Sequence, residues 1–309
     1  MIDYIKAKFN DKDKVQSILI SEDKFKLKAK YDLKGNTLHY PIRCSLDTFN
    51  INISQYNGFI ENSLHKYYNM LLGRGQHNGD DFTHEAVIDA LNALETSLGY
   101  DLDNTILNNL EFGFNIDIEI NPSKFLEKHV LMYKFKSPCY NPKNDKSMKI
   151  KKFSYQEYDI KLYNKSLHLG NKCLTDTILR VEVKYKTKKQ FNKFGIYSLN
   201  DLKNPSCILK LYEDYLAKLS ELTIVDSFNG CFGMKKKEQQ KFTLFTNPNY
   251  WNDTRRNFCT STLQNRKNEF QEMIFKYEQN KWFTTLFKKI DKKFYELYNL
   301  ETINNPIYL

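Results

Sequence analysis

Hydrophobic and polar positions alternate with a period of two over much of the first two-thirds of the chain. The clearest run lies in NNLEFGFNIDIEINP. Leu110, Phe112, Phe114, Ile116 and Ile118 fall on one side, and Glu111, Gly113, Asn115, Asp117 and Glu119 on the other. That period belongs to a strand with one buried face, and Pro122 stops it. TILRVEVKYKT repeats the pattern, with Leu179, Val181, Val183 and Tyr185 inward and Arg180, Glu182, Lys184 and Lys186 outward. KKFSYQEYDIKLYNK alternates from about residue 153 to 163. Residues 1–60 read as strands and turns: KFKLKAKY alternates, KGN at 34–36 is a turn, and FNINISQYNGFI is two short strands about Asn57-Gly58, a hairpin signal. VLMYKFKS is a further strand, followed by the loop PCYNPKNDKS.

A second period marks the helices. Val87, Ala90, Leu91, Leu94 and Leu98 form an apolar stripe at helical spacing over 83–98, with Thr83 as N-cap and Gly99 as terminator. KKQFNKFGI predicts a short helix closed by Gly195, SLNDLKNPS a helix start, and residues 206–222 a longer helix. The polar, glycine-bearing stretch NSLHKYYNMLLGRGQHNGDDF reads as a loop. Beyond about residue 230 the pattern turns helical and charged. In the last segment Phe283, Leu286, Phe287, Ile290, Phe294 and Leu297 share one face, with lysines mostly opposite. The expected fold is α+β: a central antiparallel sheet flanked by helices over residues 1–228, then a small basic helical region over 229–309.

Composition narrows the function classes. A chain of 309 residues that is 41% hydrophobic and 15% aromatic buries a substantial core and is not a disordered composition. Its net charge of +10 favours a polyanionic partner, nucleic acid or an anionic membrane surface. No apolar run approaches the roughly 18 residues that span a bilayer, and MIDYIKAKFNDKDK lacks the apolar stretch of a signal peptide. The expectation is a cytoplasmic protein. Cys44, Cys139, Cys173, Cys207, Cys231 and Cys259 form no C-x-x-C pair, so they are expected to be buried reduced thiols and not a zinc site or disulfide framework.

The chemistry concentrates on polar strand faces. Glu111 travels with Asn115, Tyr163 with Lys161 and Lys165 at alternate positions, and Glu182 with Arg180 and Lys184. Strands in one antiparallel sheet would bring these together opposite the core. One outcome is a set of cross-strand ion pairs. The other is a catalytic site: two carboxylates hold Mg²⁺ or Mn²⁺, and a tyrosine beside metal and lysine attacks a phosphodiester. Gly113 would let something approach the sheet closely.

The order of segments resembles the filamentous-phage replication initiators, the gene-two protein family, and related phage and plasmid rolling-circle initiators. NSLHKYYNMLLGRGQHN is similar to the family's basic segment. NLEFGFN stands where the family has Arg-Ile-Asp on a strand. IKLYNKSLHL resembles its hydrophobic-x-Tyr-x-Lys segment, and ILRVEVKYKTKKQFNKFGIYSLNDL its Arg-Phe-Glu strand with the helix and leucine-rich stretch that follow. The matches run in order over roughly residues 50–205.

The resemblance implies an endonuclease akin to the His-hydrophobic-His nickases: a central antiparallel sheet flanked by helices, a divalent metal, and a tyrosine that nicks DNA, leaving a free 3′-hydroxyl and a 5′-phosphotyrosine. Carried over, Tyr163 is the nucleophile, Lys165 assists at the phosphate, Glu111 and Glu182 are metal ligands, and Arg180 orients Glu182 or contacts phosphate. Lys66, Arg74, Lys161, Arg180 and Lys184 are the expected DNA contacts, with His77 and Asn115 near the site. The expected partner is origin DNA, single-stranded or hairpin, with host helicase or polymerase beside it. Glu111 replaces the family's Asp, Asn109 its Arg, and no His-x-His is present. His65, His77 and His168 are the histidines within reach. Tyr155 and Tyr158 are alternative tyrosines, Tyr158 sharing parity with Ile160 and Leu162. Tyr67 and Tyr68 either stack on bases or pack against the 83–98 helix.

Overall fold

The computed structural model describes residues 1–32, 37–139, 150–170, 175–227 and 233–298. The KGN turn, Cys173 and Cys231, most of the PCYNPKNDKS loop and the 228/229 boundary lie outside them.

Among the described residues nine antiparallel strands form the central sheet. They are β1 (Ile2–Phe9), β2 (Lys28–Asp32), β3 (Thr37–Leu46), β4 (Phe49–Ile53), β5 (Gly58–Ser63), β6 (Thr105–Asp117), β8 (Ile150–Ser154), β9 (Tyr158–Asn164) and β10 (Ile178–Tyr185), in the order β2-β3-β4-β5-β1-β6-β10-β9-β8. A small sheet pairs β7 (Val130–Tyr133) with β11 (Leu222–Ile224). The expected α+β architecture is therefore present, and the Asn57-Gly58 hairpin joins β4 to β5. The alternating run at 153–163 is two strands, because the chain turns at 155–157, where Tyr155 N–H donates to Tyr158 C=O at 2.9 Å.

The helices follow their caps and stripes. In α3 (His84–Leu98) the Thr83 hydroxyl accepts from Ala86 N–H, and Gly99 ends the helix at φ 66°. Two helices stand where strands or loop were expected. In α1 (Lys12–Ser21) Asp11 caps Lys14 N–H and buries Val15 and Leu19 one turn apart. In α2 (Leu64–Leu71) Ser63 accepts from Lys66 N–H at 3.1 Å, and Leu64 and Tyr67 are buried. Two turns of helix leave too short a stripe to stand out beside the glycines that follow. Short helices α4 (Pro122–Lys128), α5 (Lys165–Leu169) and α6 (Lys188–Asn192) sit at strand ends, and α7 (Pro205–Leu219) packs on the sheet through Tyr215.

The apolar face of β6 and β10 carries the core. Tyr215 on α7 stands edge-on to Phe112 and Phe114 at 5.5 and 5.4 Å and donates to Val181 C=O at 3.1 Å. The C-terminal helices are α8 (Lys236–Thr246), α9 (Pro248–Asn257), α10 (Thr260–Lys276) and α11 (Lys281–Tyr298). Phe294 on α11 stacks on Tyr212 at 3.7 Å within the main core, whereas Phe242, Phe245, Trp251 and Phe270 of α8–α10 form a second cluster with Leu131, Met132 and Val225. Cys44 and Cys207 are buried as expected, but Cys139 and Cys259 are exposed. Among the described residues no helix is long and apolar enough to cross a membrane.

Candidate active site

Register builds the site. Residues directly opposed in antiparallel strands share a face. Three rows therefore cross β6, β10 and β9: Glu111–Lys184–Asp159, Gly113–Glu182–Lys161 and Asn115–Arg180–Tyr163. The polar sides of the three strands meet opposite the core.

Charges fill these rows. Lys161 Nζ donates to Glu182 Oε1 at 2.8 Å and Glu111 Oε1 at 3.1 Å, and Lys184 Nζ lies 3.0 Å from Glu111 Oε1. Arg180, 3% exposed, bonds Glu182 Oε2 through Nε at 3.2 Å, Asn115 Oδ1 at 3.2 Å and Asp3 Oδ2 at 3.4 Å. The guanidinium is turned inward against Glu182 and has little surface left for DNA. Burial raises the Glu182 pKa, but Lys161 and Arg180 outweigh it and hold the carboxyl below the ordinary range. Burial acts the same way on Asp3, and Arg180, Ser63 and Lys165 bring it down to about 2.

Asp3 was not among the residues singled out from sequence. By parity it belongs with Ile5, Ala7 and Phe9, on the core side of β1. A bulge between Ile2 and Ile5 against β6 reverses that parity, and such bulges re-aim side chains. Asn78, also missed, binds it in place. Its Nδ2 donates to Asp3 Oδ2 at 2.5 Å, and its Oδ1 accepts from Lys165 Nζ at 2.7 Å. Asn115 in turn donates to the carbonyls of Asn78 and Gly79, both at 3.2 Å.

Gly113 has a steric reason. A Cβ there would stand 2.3 Å from Val181 O and 2.6 Å from Glu182 Cα. What approaches closely is the neighbouring strand, and the absent side chain lets β10 deliver Glu182 against β6.

Tyr163 is half-buried beside Arg180. Among the described residues its hydroxyl makes no hydrogen bond. Burial and then Glu182 push its pKa well above 10, against the pull of Arg180. Lys165 does not extend the strand. Asn164 caps α5, accepting from Leu167 N–H at 2.9 Å, and Lys165 as the first helical residue turns fully inward. Burial and then Arg180 hold its pKa down to about 8. Its Nζ is 6.0 Å from the Tyr163 ring centroid, and the His168 ring stands edge-on to that ring, also at 6.0 Å. A cleft of about 810 Å³ opens at this corner, lined by Asn121, Asn164, Ser166, Leu167 and Thr177. A larger cleft of about 930 Å³, lined by Trp282, Gln279 and Lys276, shares none of its lining with these rows.

The remaining expected residues belong to the 62–82 segment. Asp80 is its hub, 2.8 Å from buried His65 Nε2, 2.7 Å from Asn69 Nδ2 and 3.5 Å from His77 Nδ1. Burial raises the Asp80 pKa, but His65 and Asn69 bring it to about 2. Both histidines thus serve this segment's own network. Arg74 is exposed, 3.9 Å from Asp80, and Lys66 is half-buried on α2. Tyr67 is fully buried against Phe49 and Tyr68 packs on Phe82, so Tyr67 has no surface for a base. Tyr158 stacks on Tyr155 at 5.2 Å and bonds the Tyr133 hydroxyl at 3.0 Å, away from the three rows.

Carboxylate oxygens of Asp3, Glu111 and Glu182 lie within 4.8 Å of one another. Three hard oxygen donors at that spacing suit Mg²⁺ or Mn²⁺, and the Lys161 ammonium already stands as a cation between two of them. The residues fit such an ion in donor type and charge.

No protein-family model matches the chain, and no curated protein matches it. Among solved structures the chain is similar to a rolling circle replication initiator protein from Geobacillus stearothermophilus, at 10% identity, over 80% of this chain and 96% of that one, with a TM-score of 0.41. That likeness is too loose to carry a function.

Proposed function

We propose that the chain initiates rolling-circle DNA replication by nicking one strand through Tyr163 and rejoining it. The observation that carries this reading is the Asn115–Arg180–Tyr163 row beside the Gly113–Glu182–Lys161 row: a phenol, its hydroxyl without a hydrogen bond among the described residues, next to buried cations and carboxylates. Tyr163 Oη attacks phosphorus, the P–O3′ bond breaks, and the 3′-oxygen leaves as a hydroxyl after taking a proton from water. The product is a 5′-phosphotyrosine, which a 3′-hydroxyl later resolves by the reverse step.

The phenol needs help, because burial keeps it protonated. Lys165 is the amine we assign as proton acceptor. With a pKa of about 8, roughly a tenth of it is neutral at pH 7. Once protonated, it adds positive charge near the phosphate. Mg²⁺ or Mn²⁺ held by Glu111, Glu182 and Asp3 would polarise the phosphate. Lys66, Arg74 and Lys184 are assigned to the DNA backbone, where cation contacts give salt-sensitive affinity.

One observation favours a second reading, a catalytically silent DNA-binding protein on the same scaffold: every carboxylate of the cluster already has a cationic partner. Covalent capture separates the two. The protein is incubated with Mg²⁺ or Mn²⁺ and single-stranded origin DNA, then run on a denaturing gel beside Tyr163→Phe. An adduct lost in the Phe variant supports the nickase. Tight DNA binding without an adduct under any metal overturns it.

A further inference from the structure

Lys161 is expected from sequence to touch DNA, yet its ammonium is turned the other way. It bridges Glu182 at 2.8 Å and Glu111 at 3.1 Å, two of the three carboxylates whose oxygens cluster within 4.8 Å. Its side chain is 22% exposed, whereas Glu182 beneath it is 3% exposed. An ion approaching Glu182 from solvent therefore meets Lys161 above it.

Resting on the divalent-metal reading above, we propose that Lys161 is a built-in competitor for the metal position, a tethered cation that must leave before the ion enters. Two like charges cannot share the small volume between Glu111 and Glu182 without strong repulsion. With no ion bound, the ammonium offsets carboxylates that burial would otherwise leave costly to ionise. With an ion bound, Lys161 is expelled toward the exposed side of the sheet, where it meets the backbone of an incoming strand. Metal loading then delivers one further cation to the DNA face, and metal and DNA each strengthen the binding of the other. Lys184, which touches only Glu111 among these carboxylates, at 3.0 Å, lacks the bridging position and serves as the charge-matched control.

The test is Mn²⁺ binding, followed by the loss of free-ion EPR signal, in wild type, Lys161→Met, Lys184→Met and Glu182→Gln. Methionine keeps the stem and removes the charge. Lys161→Met is expected to bind Mn²⁺ about tenfold tighter or more, Lys184→Met to change by only a few-fold, and Glu182→Gln to weaken binding. Thermal melting supplies the second readout. Lys161→Met should melt below wild type without metal and gain more than wild type when Mn²⁺ is added. If wild type binds Mn²⁺ and Lys161→Met binds it equally or less tightly, the competitor role fails while the metal reading stands. If no variant, Lys161→Met included, binds Mn²⁺ at millimolar concentration, both fail.

Discussion

Arg180→Met tests the buried network most sharply. The guanidinium is 3% exposed and bonds Glu182, Asp3 and Asn115 at 3.2–3.4 Å. Methionine fills similar space without charge, leaving two buried carboxylates short of a partner. Breaking a buried ion pair from one side costs about 3–5 kcal/mol. Part of that follows from Asp3 alone. Its drop from 3.8 to about 2, at about 1.4 kcal/mol per pH unit, is about 2 kcal/mol, of which Arg180 supplies the largest share beside Ser63 and Lys165. The expected fall in Tm for a chain of this size is about 5–8 °C.

The pH dependence carries the sign. Asp3 binds protons less readily folded than unfolded, so its contribution is fully present above about pH 4 and is lost as pH falls toward 2. In the variant the largest influence that lowers Asp3 is gone, so its carboxyl moves up against burial, while Glu182 keeps Lys161. The gap between wild type and variant should therefore be widest near pH 6 and narrow as pH falls below about 4. Urea unfolding of both proteins at pH 6, 5, 4 and 3 measures it. A gap under about 1 kcal/mol at pH 6, or one that stays constant to pH 3, would refute the reasoning.

Other predictions follow from single contacts. Gly113→Ala places a methyl 2.3 Å from Val181 O, so β6 and β10 must part; a loss of about 2–4 kcal/mol is expected by thermal melting, and a neutral result would mean the strands are not so close. Asn78→Ala removes the bridge between Asp3 and Lys165 and should cost about 2–3 kcal/mol in urea unfolding. Phe294→Ala should cost about 3–5 kcal/mol and lower the main transition as a whole, because this ring stacks on Tyr212 in the sheet's core; a separate early transition confined to the C-terminal helices would contradict that placement.

Much of this architecture was legible because period two persists where a strand has one wet and one dry face. β10 shows it from Leu179 to Tyr185 and β6 from Leu110 onward, past an irregularity at 108–109, and the polar sides of β6, β9 and β10 meet as their alternation implies. The ion-pair outcome weighed for those faces is also present: Lys161, Lys184 and Arg180 pair with Glu111, Glu182 and Asp3. What escaped the pattern broke it. A bulge in β1 inverted the parity of Asp3. An Asn164 cap ended β9 one residue before Lys165 and turned the lysine inward. Asn78 lay in a glycine-bearing segment whose placement depends on Asp80 and its histidines, contacts distant in sequence and invisible to periodicity. The short α2 gave only two turns of signal.

The most direct test of the account is to digest the captured protein–DNA adduct and locate the modified peptide by mass spectrometry. The predicted result is a 5′-phosphonucleotide on Tyr163, within the peptide spanning Leu162–Lys165, formed by wild type and absent from Tyr163→Phe. A nucleotide mapped to Tyr4, Tyr155 or any other tyrosine would contradict the assignment. So would strand cleavage that leaves no protein-linked DNA.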